Sequence, residues 1–163
     1  MNKYIFLIPI ALFFCACGIK QQQTEISSPV KVTVKSPNIK LSGLGFYKKG
    51  GNYVNLQVFA GATATLNYES STTICINDNC MTRGIFNDRF FMRAHYARLI
   101  DDILAGKPIY NSQNLTKTQN GFFQNIVKSG EYDIFYEVKN GNVEFEDFKN
   151  RVYVGLKKLE KMQ

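Results

Sequence analysis

Residues 89–109, RFFMRAHYARLIDDILAGKPI, limit the fold more than any other stretch, because only there does the chain carry a clear helical period. At 100° per residue Ile85, Met92, Tyr96, Leu99, Ile100, Ile103 and Leu104 share one sector, and Asn87, His95, Arg98 and Asp102 lie opposite. Asn87 suits the N-cap, with Asp88 beside it to complement the exposed N–H groups. Gly106 suits the left-handed position after the last turn, and Pro108 prevents continuation. The rest of the chain reads as strands and tight turns. A lone amphipathic helix in such a chain has to lay its apolar stripe on a sheet.

The strands follow from alternation. Residues 17–37 read as a flexible polar tether, in which Val30, Val32 and Val34 alternate with Lys31, Thr33 and Lys35 and can begin a short edge strand. Ile39 and Leu41 share a face that Leu44 and Phe46 continue only after a change of phase, so a bulge is expected near Gly43. Lys49-Gly50-Gly51-Asn52 marks a hairpin turn before Val54, Leu56 and Val58. Ala62, Ala64, Leu66 and Tyr68 then alternate, and Ile74 and Ile76 lead into a short turn. Residues 107–120 read as a long loop, followed by a strand over 122–128. The clearest local signal is YDIFYEVKNGNVEFEDF, where Asn140-Gly141 specifies a type I′ turn. That register sets Val138 opposite Val143, Tyr136 opposite Phe145, and Glu137 unfavourably opposite Glu144, with Arg151 or Lys157 available to offset the repulsion. Val152, Val154 and Leu156 close the block. The expected order is β block, helix, β block, with antiparallel neighbours.

The first residues give an address. Lys3 precedes an apolar run over residues 5–14, too short to span a bilayer, and the run ends in Cys15-Ala16-Cys17-Gly18. This resembles the lipobox of bacterial lipoproteins, which implies a signal peptide over 1–16, cleavage before Cys17 and acylation of the Cys17 sulfur; an ordinary signal peptide cut nearby is the alternative. The formal charge of +7 would become +6, since only Lys3 is lost, and a basic domain is drawn to anionic membrane surfaces. Lysines that are not clustered on one element of an exported chain do not point to nucleic acid. Cys75 and Cys80 suggest a disulfide clamping a hairpin, against metal or redox work by two sulfurs.

The residues of common enzymes are missing. No Gly-x-Ser-x-Gly is present, His95 is the only histidine and is expected on the wet helix face, and no phosphate loop or metal set is seen. Asp101 and Asp102 point about 100° apart on a helix, and Asp102 sits where Arg98 can pair with it. No enzyme, cofactor or metal is expected. Arg89 and Arg93 fall inside the apolar sector, where they either snorkel at its border or stand at a cavity mouth facing a lipid phosphate.

Tyr96-Ala97-Arg98-Leu99-Ile100, continuing through Ile103-Leu104-Ala105-Gly106-Lys107-Pro108-Ile109, resembles the helix of LolB-like outer-membrane lipoproteins. Phe59-Ala60-Gly61 with the alternation after it, and the hairpin and last strand over 132–159, resemble the family's flanking segments. The similarity covers roughly residues 38–159 and assigns 38–163 to one β domain. It implies a mainly β (α+β) fold: a curved, unclosed antiparallel half-barrel with one main helix packed on its concave side. It implies an outer-membrane lipid anchor, with the domain in the periplasm or at the cell surface. It also implies acylated lipoproteins or a LolA-like carrier as partners, and Phe59 and Ala60 on a membrane-engaging loop. The expected function is non-enzymatic binding of lipid or acyl chains, with Leu56, Val58, Leu66, Tyr96, Ile100, Tyr136, Phe145 and Val154 lining a cavity. Ala64 and Ala97 are expected to face that interior. The alternative is a structural or adhesive lipoprotein in which the same residues fill a solid core.

Overall fold

A computed structural model describes residues 27–51 and 53–159. Cys17, the signal peptide and the first part of the tether lie outside the described residues. In chain order the elements are β1 (Ser28–Lys35), β2 (Lys40–Lys49), β3 (Val54–Ala60), β4 (Thr63–Ser70), β5 (Ile74–Ile76), β6 (Asn79–Met81), α1 (Arg83–Phe90), α2 (Leu99–Leu104), β7 (Leu115–Thr118), β8 (Gly121–Lys128), β9 (Tyr132–Lys139), β10 (Asn142–Asp147) and β11 (Val152–Lys158). All eleven strands form one antiparallel sheet in the order β6-β5-β4-β3-β2-β1-β11-β10-β9-β8-β7. Its ends, β6 and β7, do not meet, so the sheet is an unclosed half-barrel with the helical segment on its concave side. The mainly β fold expected from the sequence is the one observed.

Alternation sets the inner face. Val30, Val32 and Val34 of β1, Leu56 and Val58 of β3, Tyr136 of β9, Phe145 of β10 and Val154 of β11 are all buried. The Asn140-Gly141 hairpin has the expected register, with Val138 opposite Val143 and Glu137 opposite Glu144. Gly155, not Arg151 or Lys157, stands across from Glu144 on β11. Cys75 and Cys80 face each other across β5 and β6 and are disulfide-bonded, with Cα atoms 3.9 Å apart.

Four expectations are corrected. The tether does not extend to residue 37: β1 is an interior strand, paired with β2 on one side and β11 on the other, and it joins the two β blocks. Its alternation reads equally as edge or centre, and only the long-range partner decides. The phase break is not in β2, which pairs without interruption and turns Leu44 and Phe46 outward. It lies in β4, where Thr65 is the extra residue against Val58 and Phe59 and donates its hydroxyl to the Val58 carbonyl at 3.1 Å. Gly43 and Gly45 instead serve close approach: a Cβ on Gly45 would fall 2.2 Å from the Gln57 carbonyl oxygen. The loop over 107–120 contains β7, which pairs with β8, and a 3-10 turn at Tyr110–Ser112.

The fourth correction concerns the helix, which is broken in two. α1 begins earlier than expected, capped by Thr82, whose hydroxyl accepts the Ile85 N–H. It ends at Phe90, with Met92 at φ 60° just beyond. Asn87 is not a cap but is fully buried, and its side-chain amide donates to the carbonyls of His95 and Tyr96 across the break. A continuous helix would point Phe90 and Phe91 in directions 100° apart; the break lets both bury. Phe86 stacks on Phe90 at 5.2 Å, Phe90 meets Phe91 edge-on at 4.8 Å, and Phe91 reaches Phe145 of the sheet at 5.7 Å. Burying each such ring contributes about 1.5–3 kcal/mol, enough to outweigh a few residues of helix propensity. Ile85 and Met92, expected inside, are exposed. α2 keeps the expected face, with Leu99, Ile100, Ile103 and Leu104 buried. Its end is the expected one too: Gly106 at φ 65°, Gly106 N–H to the Ile103 carbonyl and Lys107 N–H to the Asp102 carbonyl.

Candidate functional site

The concave side divides at α2. Beneath α1 and α2 the interior is packed, and only about 40 Å3 remains between Leu56, Leu66, Phe86, Phe90, Ile100 and Val154. Past the end of α2 an open cleft of about 810 Å3 lies between Gly106 and the two hairpins that join β2 to β3 and β9 to β10. Val30, Val54, Leu104, Val138, Val143 and Leu156 form its apolar wall. The Gly106 turn creates this space by ending the helix there, and Gly106 itself packs close to Val138 and Val143.

Cations stand at the rim. Lys49 comes from the end of β2, Arg98 and Lys107 from either side of α2, and Lys158 from the end of β11. Lys158 lies across the hairpin turn, its Nζ 2.5 Å from where a Cβ on Gly141 would stand, so glycine leaves room for it. One carboxylate also lines the cleft. Asp101 is 3% exposed, pairs with Arg83 and accepts the Tyr68 hydroxyl at 3.0 Å. Arg83 in turn donates to the Ser70 hydroxyl at 2.9 Å and to the Ser71 carbonyl, tying α1 to the end of β4. This buried pair is structural: a desolvated carboxylate holding one guanidinium and one phenol has little capacity for other work. Tyr47, also in the cleft wall, is raised to about 12 by burial first and then by the charge of Asp101. Its hydroxyl is buried with no hydrogen-bond partner among the described residues.

A second polar knot sits elsewhere on the concave side. His95 is half-buried between Phe91, Tyr110 and Tyr132, not on a wet helix face, and its Nδ1 shares a hydrogen bond with the Tyr110 hydroxyl. Burial lowers its pKa, against the carboxylates of Asp147, Glu131 and Asp88. Tyr110, Asn111 and Ser112 are all left-handed, at φ 47°, 53° and 64°. Non-glycine residues resist that conformation, so something must hold them. Gln124, fully buried, does so: its Oε1 accepts the Ile109 N–H at 2.8 Å, and its Nε2 donates to the Ile109 and Gln113 carbonyls at 2.9 and 2.7 Å.

The expected site residues therefore separate. Leu56, Val58, Ile100, Tyr136, Phe145 and Val154 are buried and Leu66 and Tyr96 half-buried, but they wall a filled core, and none of them lines the cleft. Arg89 and Arg93 are exposed and away from the cleft, because the break after Phe90 removes them from the face of α2. Arg93 donates to the Gly130 carbonyl at 3.4 Å. Asp102 accepts the Tyr96 hydroxyl at 3.2 Å. Ala64 and Ala97 are exposed, Ala64 because the Thr65 bulge reverses its face. Phe59 and Ala60 end β3 at its turn into β4, with Phe59 edge-on to Phe46 at 6.0 Å. The cleft residues were missed although Val30, Val138, Val143 and Leu156 obey the same alternation as the core. The usable signal was the Gly106-Lys107-Pro108 stop, which shows where the helix ceases to cover the sheet. Comparison with protein-family models and with curated proteins finds no match for this chain.

Proposed function

We propose that this chain is a non-enzymatic, lipid-anchored outer-membrane protein that binds the acyl chain of an anionic amphiphile in the cleft beyond α2, in the setting of lipoprotein localisation. The observation that carries this reading is the cleft itself: about 810 Å3, walled by aliphatic side chains and rimmed by Lys49, Lys107 and Lys158. Its size falls in the ordinary range for small-molecule sites. The apolar wall suits a chain that avoids water, and the rim suits a phosphate or carboxylate. An acylated lipoprotein or a LolA-like carrier remains the partner class, and Cys17 the site of anchoring. A structural or adhesive lipoprotein is the second reading, and the filled core beneath α1 favours it.

Native mass spectrometry of the Cys17→Ala protein purified from the cell envelope tests the proposal. A co-purifying fatty acid, lysophospholipid or acyl peptide, lost in Val138→Phe, is the expected result. A protein that carries no lipid and takes up none of an added fatty-acyl probe would leave the adhesive reading.

A further inference from the structure

The convex face of β1, β2 and β3 carries what a soluble surface ordinarily avoids. Leu44 is 58% exposed and Phe46 is 47% exposed, and Phe46 meets the half-buried Phe59 edge-on. The register makes them one patch: Leu44 pairs with Phe59, and Phe46 pairs with Pro29 on β1. Lysines surround it. Lys31 lies opposite Leu44, Lys157 lies opposite Lys31, and Lys48 follows Phe46 on the same face. No Asp or Glu occurs in β1, β2, β3 or β11; the carboxylates on this side stand on the flanking strands, Glu137 and Glu144 in a groove with Lys31 and Lys157, and Glu69 across Asn55 from Lys48.

We propose that this convex face seats the domain on an anionic bilayer, with Leu44, Phe46 and Phe59 in the headgroup region and Lys31, Lys48 and Lys157 against lipid phosphates. Exposed aromatic and aliphatic side chains ringed by lysine match the interface of a membrane, where rings enter and ammonium groups stay wet. A second copy is a poor occupant, because a two-fold contact would set the same lysines against each other. The chain's own course points the same way. Pro29 lies within the patch, and Cys17 is twelve positions earlier, at most about 40 Å away when fully extended. Ser28 and Tyr47, one register step from Pro29 and Phe46, point the other way into the cleft, so the sheet itself would separate a bilayer on this face from the cleft.

The test removes the acyl anchor and leaves the face. Protein beginning at residue 17, with Cys17→Ala and without the apolar run over 5–14, is sedimented with vesicles of phosphatidylethanolamine and phosphatidylglycerol, and separately with phosphatidylcholine alone. Binding to the anionic vesicles only is expected. Leu44→Gln with Phe46→Gln should weaken it about tenfold or more, as loss of two partly inserted apolar groups requires. Lys31→Glu should weaken it and reduce its salt dependence. The substituted side chains are exposed, so unchanged circular dichroism is expected in each variant. Parent protein that ignores both vesicles overturns the proposal, as does a Leu44→Gln, Phe46→Gln variant that binds like the parent. A concentration-dependent dimer abolished by the same variant would assign the face to a second copy instead. None of these readouts depends on whether the cleft holds a ligand.

Discussion

The concave side of one sheet carries two regions that share an alternation pattern and differ in what covers them. Under α1 and α2, Phe86, Phe90, Phe91, Leu99 and Ile103 fill the curve of the sheet. Beyond Gly106 the same sheet continues with Val30, Val138, Val143 and Leu156, and no helix among the described residues covers it. Strand periodicity reports which face is inside; it does not report whether the inside is full. That is decided by where the helical segment runs and where it stops.

The largest effects should come from breaking the packed region. Phe91 is fully buried between Phe90, His95 and Phe145, so Phe91→Ala should cost about 3–5 kcal/mol in urea unfolding. Arg83→Ala leaves Asp101 desolvated with the Tyr68 hydroxyl as its remaining partner, and a similar loss of about 3–5 kcal/mol is expected. Double-mutant analysis with Asp101→Asn should recover part of that loss. A smaller contrast sharpens the comparison. Val58→Phe, in the filled half, should overpack and cost roughly 1–3 kcal/mol. Val138→Phe, in the cleft wall, should leave stability within about 0.5 kcal/mol while lowering affinity for a fatty-acyl probe. Equal destabilisation by the two would mean that the cleft is not open space.

Opening the clamp should cost less than breaking the core. The Cys75–Cys80 bridge closes a short loop, worth about 2 kcal/mol in the chain-entropy account, so Cys75→Ser with Cys80→Ser should lower stability by that order and keep the fold. Acid should act more mildly, through His95. Its folded pKa lies below the ordinary value because burial disfavours the charged form. The unfolded chain therefore binds the proton first as pH falls through about 6.5, and stability present above that pH declines below it. Comparing unfolding free energies at pH 7.5 and 5 in the parent and in His95→Gln should show that part of the decline vanish in the variant. An unchanged difference would place the acid sensitivity on other groups.

The same contrast shows how much was legible. The Asn140-Gly141 hairpin, the inner faces of β3, β9, β10 and β11 and the end of α2 all follow from local spacing. They were readable because turn chemistry and alternation act within a few residues. The pairing of β1 with β11 was not, since it joins segments more than a hundred residues apart. Nor was the break after Phe90, where burying two adjacent phenylalanines overrode helical continuity. Gly43 looked like a bulge but marks a close approach of β3, while the actual bulge at Thr65 carries no glycine. The candidate site suffered most. Its apolar residues were visible as inward-facing, but its rim depends on Lys49, Arg98, Lys107 and Lys158, which only the fold brings together.

The most direct measurement is an amide and methyl NMR titration of the Cys17→Ala protein with dodecanoate. An acyl-binding cleft should give saturable shifts at Val30, Leu104, Val138, Val143 and Leu156, with Val58, Phe91 and Ile126 unmoved. Absence of saturable shifts, or shifts confined to the packed half, would contradict it.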